Sequence, residues 1–90
     1  MTAWSEIRFD ARELEHPKPL EEAVWRLRHL ENDAYLHMIH RRCPHPLLEI
    51  CDKNGFHYAT RSEHEELWHI LIAKNPAIPL DELIAESADV

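Results

Sequence analysis

The sequence predicts an α+β fold, a two-layer βαβαββ sandwich in which a mixed four-stranded sheet carries two helices on one face. Three observations lead there. Apolar residues alternate with polar ones in short runs beginning at Ile7 and Phe9, the signature of half-buried strands. Between the first two runs, Leu20, Ala23, Val24, Leu27 and Leu30 recur at helical spacing. A turn pattern then occurs twice: His16-Pro17-Lys18-Pro19-Leu20 and, 27 residues on, Cys43-Pro44-His45-Pro46-Leu47. Each instance lies between an apolar strand and a helix. Proline suits a helix start because it lacks only an N–H that would be unpaired there and its φ is already helical.

After a short frayed terminus over residues 1–5, Ile7 and Phe9 alternate with Arg8 and Asp10 as strand one. The first helix is expected from Pro17 to about Asn32. Glu21 and Glu22 stand near its positive end, and Arg26, Arg28 and His29 toward its negative end. Trp25 flanks the apolar stripe and is expected at the edge of the core. Strand two is Ala34 to His40, with Leu36, Met38 and His40 on one face and Tyr35, His37 and Ile39 on the other. Arg41 to Pro46 forms the second turn. Leu47, Leu48, Ile50 and Cys51 give a second helix stopped by Asn54-Gly55, where the chain's one glycine is expected at positive φ. Phe56 to Thr60 is strand three, Arg61 to Glu66 a polar turn, and Leu67 to Lys74 strand four. Residues 1–75 then form one domain and residues 76–90 an acidic tail. In that tail Pro79, Leu80, Leu83 and Ile84 suit a short helix, either laid across the helix-free face or free of it.

Ninety residues, 44% of them hydrophobic, suit one domain. The early run Glu6, Arg8, Asp10, Arg12, Glu13 and Glu15 leaves no place for a signal peptide, and no stretch approaches membrane-spanning length. A cytoplasmic protein is expected, without membrane contact. A formal net charge of −7 repels phosphate backbones, and Arg41-Arg42 is too short a basic run to reverse that, so nucleic acid is not an expected partner. Cys43 and Cys51 make no disulfide framework. Separated by a turn and two helical turns, they lie on the order of 12 Å apart, beyond disulfide reach.

Parallel neighbours one and two would release both turns at one edge of the sheet, where α/β folds bind ligands, bringing His16 beside Cys43 and His45. Asp10 and Arg12 could anchor a ligand there, although an Asp capping its own turn is the commoner arrangement. Cys43 precedes a helix and follows two arginines, so its pKa is expected below the ordinary value, making it a candidate reactive thiol. Cys51 belongs to the core. On the helix-free face His37, His57 and His69 would point the same way, a candidate site for a metal ion or a haem edge. Tyr35, Ile39, Leu67 and Leu71 add enough apolar area there to favour coverage by the tail, a protein partner or a second copy. His40 falls at a strand end, and His29 and His64 on the surface.

The stretch Asp10-Ala-Arg12-Glu-Leu14-Glu-His16-Pro17-Lys-Pro19-Leu20 resembles the TusA/SirA-like sulfur-carrier domains, whose first strand runs into Asp-x-Arg-Gly-Leu-x-Cys-Pro-x-Pro-Leu. It resembles still more the uncharacterised TusA-like family called domain of unknown function 2249. Cys51-Asp-Lys-Asn-Gly55 and Ile72-Ala-Lys74 extend the likeness over roughly residues 7 to 74. The resemblance implies strand order 1-2-4-3 with strand four antiparallel. Two positions depart from it: Glu13 replaces a glycine, and His16 replaces the persulfide-carrying cysteine. An imidazole can serve as a hydrogen-bond partner or metal ligand but holds no persulfide. The expected function is therefore an accessory or binding domain without the sulfur-carrying thiol, working through protein contacts or a redox- or metal-linked ligand. A sulfur or redox carrier using Cys43, and a metal or haem protein using the histidines, are the alternatives.

Overall fold

The computed structural model describes residues 4–87, so Met1 to Ala3 of the expected frayed terminus and the last three residues of the tail lie outside the described residues. Seven elements follow one another: β1 (Ser5–Asp10), α1 (Lys18–Arg28), β2 (Ala34–His40), α2 (His45–Lys53), β3 (His57–His64), β4 (Leu67–Ala73) and α3 (Leu80–Ser87). The strands form one mixed sheet in the order β1-β2-β4-β3. β1 and β2 are parallel, from Ser5↔Ala34 to Asp10↔Ile39, while β4 runs antiparallel to both β2 and β3.

Period-2 alternation divides the sheet residues between two cores. On one face Phe9, Leu36, Met38, Ile70 and Ile72 pack under Ala23 and Leu27 of α1 and Leu47 and Cys51 of α2. On the other, Tyr35, Ala59 and Leu71 pack against Ile78, Leu80 and Ile84. The segment after Pro76 is thus laid across the face that α1 and α2 leave open, with Ile78 1% exposed. It adds a third layer over β3 and β4 to the two expected. Its start follows from Pro79, whose carbonyl accepts from the amides of Glu82 and Leu83, and from Asp81 and Glu82 at the positive helix end.

Local differences from expectation have local causes. α1 ends at Arg28 rather than near Asn32, where the His29 and Leu30 amides turn back onto the carbonyls of Arg26 and Leu27 in a tightened last turn. β3 continues through Arg61–His64, which looked like a polar turn: an edge strand can be polar on both faces where nothing packs on it, so periodicity carries no signal there. Trp25 is 59% exposed, not a core-edge residue, and stacks at 4.4 Å on the ring of His29. Phe9 instead receives the Arg26 guanidinium over its ring at 4.1 Å.

α2 ends as its sequence requires. Gly55 has φ +77°, and the Phe56 amide beyond it donates to the Cys51 carbonyl at 3.0 Å, closing the helix end. A Cβ at Gly55 would meet no atom within 4 Å, so a substitution there tests backbone strain alone. Gly55→Val should cost about 1 kcal/mol or more in chemical denaturation, because a β-branched residue resists positive φ. An unchanged midpoint would mean that the helix closes differently.

Candidate functional site

Parallel pairing sends the chain out of β1 and β2 at the same sheet edge, and the Ala11 amide extends the pairing by donating to the Ile39 carbonyl at 2.8 Å. Each exit turn then enters a helix through prolines, with Pro17 and Pro44 at the two N-cap positions. Between the turns lies a cleft of about 430 Å³, within the range of small-molecule sites. Leu14, His16 and Leu20 line it from the first turn and helix, and Arg41, Arg42 and Cys43 from the second. Buried Met38 and Leu47 form its apolar base. The helix N-termini and the two arginines, against the single carboxylate of Glu15 in the lining, make its surroundings more positive than a chain of net charge −7 would suggest.

His16 and Cys43 are therefore brought together as expected, and the other three ligand candidates are not. His45 begins α2 on the exposed side, outside the cleft lining. Asp10 and Arg12 satisfy one another: Arg12 donates from Nε and a terminal nitrogen to the two carboxylate oxygens at 2.9 and 2.7 Å, and from its amide at 3.1 Å. This bidentate grip holds the Asp10 carboxyl down to about 2. The pair shapes the turn.

The thiol expectation for Cys43 is reversed. It is half-buried, and burial pushes its pKa up from the ordinary value. Cys51, fully buried, is pushed up to about 11 by burial and then by Asp52. Neither thiol is disulfide-bonded. His40, at the end of β2, also lines the cleft. Its Nδ1 accepts from the Arg42 amide at 3.1 Å, and its pKa is lowered by burial and by Arg42 and Arg41.

The three-histidine cluster is not assembled. The register pairs His69 with Arg61, four residues along β3 from His57, a displacement of roughly 13 Å at strand rise. His57 instead bonds the Asn75 carbonyl at 2.8 Å. Among the described residues no group of three or more His, Cys, Asp or Glu side chains is arranged to hold a metal ion. His37 and His69 do meet, being diagonal neighbours on β2 and β4, and both are buried. His37 Nδ1–H donates to Glu6 Oε2 at 2.6 Å, which leaves the His37 Nε2 lone pair to accept from His69 Nδ1–H at 2.9 Å. His69 Nε2 then ends the chain, buried without a hydrogen bond among the described residues and 3.8 Å from Glu63 Oε1.

Glu6, Glu63 and His40, and the arginines as cleft residues, escaped sequence reasoning. Glu6 was within reach of it, because the parallel register sets it on the His37 face next to Tyr35. Glu63 was not: it is the residue skipped between the pairs Ser62↔Trp68 and His64↔Leu67, an irregularity that no motif announces.

The fold and the cleft define a class, a small α+β domain with two proline-shaped strand-to-helix turns converging on one ligand-sized cleft. The family model described as uncharacterized conserved protein (DUF2249) matches residues 8–74, and the chain belongs to that family. No curated protein and no solved structure matches it. Among the described residues no helix is long and apolar enough to cross a membrane.

The buried histidines make stability depend on pH. The folded pKa of His69 is lowered by burial first and then by His37, with Arg8 and Arg61 acting the same way and Glu63 opposing them. In the unfolded chain histidine titrates near 6.5. Below that value and above the folded one, the unfolded state binds more protons, so stability falls as pH drops. The melting temperature should therefore decrease from pH 7 toward pH 5, and His69→Asn, which keeps a donor for His37, should flatten the decrease. A profile that is flat in the wild type would show that His69 does not titrate on folding.

Proposed function

We propose that the chain is a non-catalytic binding domain whose ligand occupies the cleft between the two proline turns. One observation carries this reading: the turns converge on a single cleft in which an imidazole, His16, stands at the first helix mouth and the thiol beside it, Cys43, is half-buried. Such a site binds without an activated nucleophile. Its likeness to TusA/SirA-like carriers rests on the prolines and leucines that shape the turn, and not on the atom that would hold sulfur. The apolar base of Met38 and Leu47, under Arg41 and Arg42, favours a ligand with an apolar body and an anionic group. Free thiols at Cys43 and Cys51 fit a reducing compartment such as the cytoplasm.

Titration with octanoate, monitored by NMR, should shift the resonances of His16, Leu20 and Met38, and Arg42→Ala should weaken the effect. Absence of any shift at the cleft would remove the ligand class. The thiol is tested separately. At pH 7 iodoacetamide should label Cys43 more slowly than an unperturbed cysteine, and incubation with a persulfide donor should leave no sulfur on the protein. Ready sulfur uptake that is lost in Cys43→Ser would replace the binding reading with a carrier whose active turn is the second one.

A further inference from the structure

β1 is an edge strand, and its outward side is unusual in this molecule. The exposed large hydrophobic residues among the described residues are Ile7, at 41%, and Trp25, at 59%. Both line one groove of about 380 Å³ alongside β1, remote from the proline-turn cleft. Expected coverage of the open sheet face by a partner does not account for them, since α3 covers much of that face and they lie on the other side of the sheet.

Backbone direction narrows what can pair with this edge. The Ser5 amide donates to the Asp33 carbonyl at 2.9 Å and the Ala11 amide to the Ile39 carbonyl at 2.8 Å. The odd residues of β1 thus turn their amides toward β2, and the even ones, Glu6, Arg8 and Asp10, turn theirs toward the free edge. An antiparallel partner strand must therefore match even residues with even ones. Two copies of β1 related by a twofold axis have three central registers that meet this condition. Centring on Glu6 sets Glu6 against Glu6, and centring on Arg8 sets Arg8 against Arg8 and Glu6 against Asp10, so both place like charges face to face. Centring on Ile7 sets Glu6 against Arg8 twice, as hydrogen-bonded pairs, and Ile7 against Ile7 beside the two Trp25 rings.

Side-chain commitments agree with that register. Arg8 makes no hydrogen bond or ion pair among the described residues. Glu6 uses Oε2 on His37 and has no partner on its other oxygen among the described residues, which leaves that oxygen for a guanidinium. Charge complementarity therefore selects the occupant, and we infer that this edge pairs with a second copy of the chain through an antiparallel β1–β1 contact centred on Ile7, joining the two sheets into one of eight strands.

Analytical ultracentrifugation of the full chain should show a dimer. Arg8→Glu sets acidic residues opposite each other at both symmetric positions and should weaken the dimer about tenfold or more, with an unchanged circular dichroism spectrum. Ile7→Cys in a Cys43→Ser background provides an independent measurement. Non-hydrogen-bonded antiparallel pairs lie about 4.5 Å apart at Cα, within disulfide range, so mild oxidation should cross-link the introduced thiols into a covalent dimer. A monomeric wild type overturns the inference, as does a dimer that neither weakens with Arg8→Glu nor cross-links through position 7. If Arg8→Glu fails to fold, the cross-link decides: its formation supports the pairing and its absence rejects it.

Discussion

The parallel pairing of β1 with β2 is the constraint on which the rest of the molecule depends. A parallel neighbour can be reached only by a crossover, and here the crossover is α1, which must return across one face of the sheet. Both strands then end at the same edge, so the turns that follow them face each other across a cleft whatever residues they contain. The same pairing sets Glu6 on the face of His37, and it leaves β1 outermost with its even-numbered amides unpaired among the described residues. Cleft, buried polar chain and free edge are three consequences of one register.

Insertion of β4 between β2 and β3 has the opposite effect on the centre of the sheet. β2 and β4 acquire neighbours on both sides and cover on both faces, and Ala34–Ile39 and His69–Ala73 are all buried. A helix pair can cover one face only, so stability requires something apolar on the other, which Ile78, Leu80 and Ile84 supply. Two imidazoles in so dry a place would be costly unpaired. Glu6 and the mutual His37–His69 bond satisfy three of their four ring nitrogens, and the fourth, His69 Nε2, has only Glu63 at 3.8 Å. Burial keeps that nitrogen from taking up a proton near neutral pH, which is the origin of the pH dependence.

Strand identity, strand faces and the closing glycine were legible because each depends on local periodicity or on a backbone need that few residues meet. Leu36 and Met38 against Tyr35 and His37, and Gly55 at positive φ, are of that kind. The meeting of His16 with Cys43 was legible too, since it requires only that two strands be parallel. His57 was misplaced because face and register are separate questions. Period-2 logic sets His57 and His69 on one face, yet the hairpin's register leaves them four residues apart along the strand. Cys43 was misjudged for a related reason: neighbours in sequence suggest charge effects, whereas burial depends on the opposing turn, which no local pattern describes.

The cleft's shape and its chemistry rest on different residues. Pro19 is buried in the first turn of α1, Pro17 and Pro44 sit at the two N-caps, and Leu20 and Leu47 tie the helix starts to the core. His16, by contrast, is exposed and makes no contact that holds the turn among the described residues. Its side chain can therefore change without moving the prolines and leucines, so a turn built this way can carry a nucleophile or an imidazole on the same backbone. The shaping residues then report the geometry of the turn, and the activity has to be read from the one or two side chains that the scaffold leaves free.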